Sequence, residues 1–197
     1  MKSPRWRFNA GLSSCRLLER NFPNGPVDVF RTIVAAVAKN KDLQLVLSIG
    51  DQIDPKQIGP VPNNAIVVKQ APQLALLKRA AVCITQAGLN TVLESLAQGV
   101  PQVAIPITYD QPGVAARIAH KKTGSVISLD KLTAHHLAFL LDEVLTDPTY
   151  RENALKMQRA IADANGLSVA ADLVEESVGT SEKVRASASS YSVRYEL

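Results

Sequence analysis

The chain of 197 residues has only two cysteines, Cys15 and Cys83, and they lie far apart, which excludes a fold stapled by disulfides. Cys83 sits inside the apolar run AVCIT, where a cysteine acts as a small buried hydrophobe, and a reducing, cytoplasmic compartment is expected. Long hydrophobic runs are also missing. No stretch reaches the roughly 18 consecutive apolar residues of a membrane helix, and the basic N-terminus leads into no apolar signal segment, so neither insertion nor export is expected. Charge of one sign is not massed anywhere: 22 Lys and Arg against 18 Asp and Glu are spread along the chain, so nucleic acid is not an expected partner. Metal-binding patterns are absent as well. His120, His135 and His136 do not converge, the last two lying about 100° apart on a helix, and surface or capping roles suit them. Asp51 and Asp54 lack further oxygen ligands at a regular spacing and read as turn residues.

What is present is apolar material, 46% of the residues, enough for one packed domain. Residues 1–25 show no sustained period and end in the Pro-Asn-Gly-Pro cluster Pro23 to Pro26, so they read as an irregular lead-in. From Pro26, Val27, Phe30, Ile33, Val34 and Val37 recur at helical spacing. Short apolar strands then alternate with helices. Strands are expected at Leu43 to Ile49, Ala65 to Lys69, Val82 to Thr85, Gln102 to Ile105 and Ser125 to Ser128. Helices are expected at Leu74 to Ala80, Leu89 to Gln98, Gly113 to Lys121, Thr133 to Leu145 and Pro148 to Glu176. Strands that are apolar throughout and separated by helices imply an α/β, Rossmann-like, doubly wound parallel sheet covered on both faces. The domain is expected over 26–178. Residues 179–197 turn to Ser, Ala, Lys and Arg and read as a mobile tail.

The stretch TQAGLNTVLESLAQGVPQVAIPITYDQ, residues 85 to 111, carries the chemistry. A strand ending at Thr85 runs through Gln86, Ala87 and Gly88 into a helix with Asn90 and Thr91 in its first turn. Small residues there let an anion approach the backbone, and free N–H groups with the positive end of the helix dipole bind phosphate without a formal charge. Each hydrogen bond to a charged group contributes about 1.5–3 kcal/mol, so three or four suffice for a diphosphate. Glu94 lies four residues after Asn90 and three after Thr91, one turn along the same face, and can accept from sugar hydroxyls. After the next strand, bounded by Gly99, Pro101 and Pro106, a loop presents Asp110 and Gln111; loops beyond the carboxyl ends of such strands form the ligand crevice. Taken singly, each feature has a plainer reading: a small-residue turn occurs in many such domains, Glu94 alone is a solvated helix residue, and Asp110 alone is a loop cap.

Taken together, these residues resemble the donor-binding signature of the UDP-dependent glycosyltransferases of GT-B fold, and most closely the bacterial branch that includes zeaxanthin and macrolide glucosyltransferases. The resemblance runs from about Val27 to Ala162 and identifies the chain with the C-terminal, donor-binding half of that fold. It implies that the Ala71 backbone meets the base and Gln73 the ribose, within Gln70-Ala71-Pro72-Gln73. It further implies diphosphate contacts from Gln86, Gly88, Asn90 and Thr91, a grip on ribose hydroxyls by Glu94, and a grip on the donated hexose, with glucose the expected sugar, from Asp110 and Gln111. The family carries His where this chain has Gln86 and a base-stacking aromatic where it has Gln70. Glutamine can donate to a phosphate oxygen but cannot become cationic as the leaving group gains charge. The acceptor domain with its histidine base is expected to precede this segment and to be missing, and the first strand and loop expected just before Val27 are not recognisable in residues 1–25. The expected activity is therefore that of a half enzyme: UDP-sugar as substrate, no cofactor, no metal, no catalytic residue on this chain, and an acceptor-domain partner or self-association. Two other classes stay open, a non-catalytic nucleotide-sugar-binding module and, less favoured, a sugar-nucleotide epimerase.

Overall fold

The computed structural model describes residues 12–16, 26–38 and 40–179. Six strands, β1 (Leu12–Arg16), β2 (Gln44–Ser48), β3 (Ala65–Val68), β4 (Ala80–Thr85), β5 (Gln102–Ala104) and β6 (Gly124–Val126), form one sheet in the order β3-β2-β1-β4-β5-β6. All five pairings are parallel. The helices are α1 (Pro26–Ala38), α2 (Gln73–Leu77), α3 (Leu89–Ala97), α4 (Gln111–His120), α5 (Ala134–Thr146), α6 (Pro148–Asp163) and α7 (Gly166–Gly179). The expected alternation and the doubly wound parallel sheet are both present.

Two sequence expectations give way. Within the irregular lead-in of residues 1–25 lies β1, and it occupies the middle of the sheet, with Leu12 opposite Gln44 on one side and Ser13 opposite Val82 on the other. Its sequence, LSSCR, has no apolar run or clean alternation, so period alone does not find it. The single helix expected from Pro148 to Glu176 is two helices, interrupted at Ala164 and Asn165, where Asn165 takes a left-handed φ of 44°. The tail expected from 179 lies outside the described residues beyond Gly179. By contacts the chain divides into two compact units, residues 1–159 and 160–197. The described part of the second unit is the end of α6 and α7, which exposes Leu167, Leu173 and Val174.

Alternation along the strands divides the core of the first unit between two faces. Leu45 and Leu47 of β2, with Val82 and Ile84 of β4, join Phe30, Ile33 and Val37 of α1 and Leu137, Leu141 and Val144 of α5 in the larger cluster. Val46 and Cys83, from the intervening positions, join Leu76 and Leu77 of α2 and Val100 in the smaller one. Each fully buried Leu or Ile contributes about 1.5–3 kcal/mol relative to exposure, so the α1–α5 face holds most of the stability. Polar clamps fix the ends. The Asn64 amide donates to the carbonyls of Val37, Asn40 and Leu43 at 3.0, 2.9 and 3.0 Å, sealing the end of α1 against the start of β2. Thr133 caps α5 by accepting from the His136 N–H at 3.1 Å. Asp54 caps the 3₁₀ turn Pro55–Ile58 in a capping box with Gln57.

Two glycines are dictated by space. A Cβ on Gly124 would lie 2.0 Å from the Gln102 carbonyl oxygen across the β5–β6 pairing. Gly99 ends α3 at φ 63°, and its Cβ would lie 2.8 Å from Leu155 Cδ2 of α6. Gly113, inside α4, has nothing within 4 Å of that position. Gly124→Ala and Gly99→Ala are expected to lower the unfolding free energy by about 1–3 kcal/mol each, whereas Gly113→Ala raises it by about 0.5–1 kcal/mol. Urea midpoints at constant m-value check this; a neutral Gly124→Ala would contradict the packing described.

Ser125 of β6, Glu143 of α5 and Tyr150 of α6 form a hydrogen-bonded triangle, with Tyr150 donating to Glu143 Oε1 at 2.8 Å and Ser125 Oγ 3.1 Å from the phenol oxygen. Burial holds the phenol above its ordinary value, reinforced by donation to Glu143 and by the negative charges of Glu143 and Asp147. The folded value lies above the unfolded one. The contribution is therefore complete below about pH 10 and is lost as the pH rises through the folded value. Wild type is expected to lose more thermal stability than Tyr150→Phe between pH 9 and 11, as measured by circular dichroism melts; parallel pH curves would show that Tyr150 has no such role.

Candidate functional site

Because every strand runs the same way, the loops after β3, β4 and β5 all leave the sheet at its carboxyl edge. Chain direction across the sheet reverses between β1 and β4, the position where open α/β sheets form a crevice. The sequence-expected site residues all fall on these three loops or the helices that follow them.

The loop after β4 is a strained turn. Ala87 is fully buried at φ 66°, and its N–H donates to the buried Thr85 Oγ1 at 3.2 Å. Gly88 is the N-cap of α3 in extended conformation, and no side chain caps that helix. The carbonyl of Gly88 already accepts from Val92 N at 3.1 Å, so the first-turn N–H groups of α3 are the donors left unspent. Asn90 and the Gly88 end of the turn reach solvent, while Val92, Ser95 and Leu96 are buried. The Gln86 amide lies over this turn: a Cβ on Gly88 would be 3.7 Å from Gln86 Nε2. Ser95 Oγ donates to the Thr91 carbonyl at 2.8 Å, and buried Gln102 of β5 donates to the Val92 carbonyl at 3.1 Å, which ties the first turns of α3 to the sheet.

The segment after β3 meets this helix directly. Gln73, the first residue of α2, donates its Nε2 to Glu94 Oε2 at 2.5 Å and to Thr91 Oγ1 at 3.3 Å. Three residues expected to touch one ligand are thereby brought together, although 18 and 21 positions separate Gln73 from its two partners. Ala71 stands two residues earlier, partly buried. Gln70, where an aromatic was expected from the resemblance, is tied to the loop after β2 by donation to Asp51 Oδ2 at 2.6 Å. Asp51 is thus a partner between loops as well as a turn residue.

Asp110 and Gln111, adjacent in sequence, have different roles. Asp110 is exposed at the N-cap of α4 and makes no side-chain capping bond, so its carboxylate is available. Gln111 is buried. Its Oε1 accepts from the N–H groups of Ile107 and Thr108 at 2.9 and 3.0 Å, so the amide expected to read a sugar hydroxyl first holds its own loop, leaving only Nε2 for a ligand. Nothing in the sequence marks this inward turn. Of the histidines, His120 and His135 are exposed and His136 half-buried at the start of α5.

The profile of the UDP-glucoronosyl and UDP-glucosyl transferase family matches residues 30–165, and the chain belongs to that family. It is 35% identical over 142 residues to the uncharacterized UDP-glucosyltransferase YojK of Bacillus subtilis (strain 168), covering 72% of this chain and 35% of that protein. It is 34% identical over 158 residues to the zeaxanthin glucosyltransferase of Pantoea ananas, covering 79% and 36%. Among solved structures, the calicheamicin glycosyltransferase CalG4 superposes with a TM-score of 0.79 at 30% identity, over 87% of this chain and 44% of that one. The fold is accordingly that of one half of a GT-B glycosyltransferase. The chain spans about a third of the length of these curated relatives. No helix among the described residues is long and apolar enough to cross a membrane.

Asp110→Ala is expected to leave stability within about 0.5 kcal/mol of wild type, as for other exposed side chains, whereas Gln111→Ala costs about 1–3 kcal/mol because it orphans two backbone N–H groups. Equilibrium urea unfolding of both variants distinguishes an exposed acid from a loop-holding amide; equal effects would remove the distinction.

Proposed function

We propose that this chain is the donor-binding half of a glycosyltransferase that moves a hexose, glucose in the first instance, from a UDP-sugar to an acceptor hydroxyl with inversion. The observation that carries the reading is the Gln73 bond to Thr91 and Glu94, which joins the nucleoside segment to the phosphate turn in one connected surface. In this reading the Ala71 backbone meets the base, and Gln73 with Glu94 holds the ribose hydroxyls. The diphosphate lies on the N–H groups of Gly88, Asn90 and Thr91, with Gln86 adding an uncharged donor. Asp110, helped by Gln111 Nε2, reads the hexose. The backbone donors supply the diphosphate's charge balance, so the reading calls for no metal and no cofactor.

The base that deprotonates the acceptor belongs, in this reading, to an acceptor-binding domain or partner, and transfer requires it. Exposed Leu74 of α2, Leu89 and Leu93 of α3 offer apolar surface beside the site for such a partner or for self-association. A reducing, cytoplasmic compartment suits the free, buried Cys83. A second reading, a non-catalytic nucleotide-sugar-binding module, is favoured by Gln86, which cannot become cationic as the leaving group departs.

Calorimetry with UDP and UDP-glucose tests the site. Glu94→Ala is expected to weaken UDP by about 10-fold or more, since a hydrogen bond to a charged group contributes about 1.5–3 kcal/mol. Wild-type protein that binds neither ligand would defeat both readings, and turnover in the presence of an acceptor domain would eliminate the second.

A further inference from the structure

The proposed donor site leaves unused the most exposed large apolar side chain of the first unit's described residues, Tyr109, at 77%. Tyr109 lies on the loop after β5, immediately before Asp110, with φ 57°. That is the left-handed region, which an L side chain other than Asn, Asp or Gly adopts only against steric resistance. Its neighbours impose the conformation. Thr108 N–H is held by Gln111 Oε1 at 3.0 Å, Gln111 N–H donates to the Thr108 carbonyl at 3.2 Å, and Val114 N–H donates to the Asp110 carbonyl at 3.0 Å. A glycine would satisfy this loop without strain, and the ring, standing in solvent, gains little from burial to offset it. Strained residues of this kind cluster at ligand-binding and active sites, where the surroundings hold them.

We infer that Tyr109 is an aromatic platform for the pyranose ring of the donor, its face packing on the C–H side of the hexose whose hydroxyls Asp110 reads. The inference rests on the donor-site reading above. Pyranose C–H groups are weakly positive and the face of an aromatic ring is negative, so the two attract beyond the apolar area they cover. Strand order supplies the direction. The loop after β5 neighbours the phosphate turn after β4, while Gln73 ties the nucleoside segment to that turn through α3, so a pyrophosphate on α3 has the loop of Tyr109 beside it for the sugar.

Calorimetry on the 197-residue chain tests this with UDP and UDP-glucose, on wild type, Tyr109→Ala, Tyr109→Phe and Tyr109→Gly, alongside thermal midpoints. Wild type should bind UDP-glucose more tightly than UDP. Tyr109→Ala should weaken UDP-glucose by about fivefold and UDP by less than about twofold, and Tyr109→Phe should restore the difference. Tyr109→Gly should lose the same affinity while melting at or above the wild-type midpoint, a combination that a purely structural tyrosine would not produce. Wild-type affinities that coincide, or a ratio unchanged by Tyr109→Ala while UDP still binds, overturn the inference and leave the donor site standing. Failure of wild type to bind UDP at all overturns the donor-site reading and this inference with it.

Discussion

Parallel pairing of all six strands is the constraint on which the site depends, because it delivers every strand-to-helix loop to one edge. β1 makes the sheet continuous. Without it, β3-β2 and β4-β5-β6 would share no neighbour, and the reversal of winding beside β4 would not exist. The packing is correspondingly unequal: α1 and α5 bury the larger cluster on one face, and α2, which leads into the site, covers a smaller one on the other together with Val100.

The two loops nearest the site share a design. Each forces a residue other than glycine into the left-handed region, Ala87 after β4 and Tyr109 after β5. Each is held by a buried side-chain oxygen accepting from backbone N–H groups, Thr85 Oγ1 in one and Gln111 Oε1 in the other. Such clamps hold each turn in its left-handed geometry. Donors aimed in advance lose less free energy to ordering when an anion arrives.

The departures from the family pattern read differently once neighbours are known. Gln70 is not an empty place where an aromatic was lost, since its amide is tied to Asp51 and joins two loops of the carboxyl edge. Gln86 lies over the Gly88 turn, where its amide can offer an uncharged donor but cannot become cationic.

Local order was legible from the residues alone. The alternation of strands and helices, the apolar face of α1, and the placing of Thr91 and Glu94 on one side of α3 all follow from periods of two and 3.6, which need no knowledge of distant chain. Tertiary structure alone decided the rest. LSSCR becomes the central strand because backbone groups of β2 and β4 flank it, not because its side chains announce a strand. Gln73 meets Glu94 across 21 positions, and Gln111 turns inward to two N–H groups that its own loop would otherwise leave unpaired. Hydrogen bonds between segments remote in sequence are fixed by which chains the fold brings together, and no local pattern carries that information.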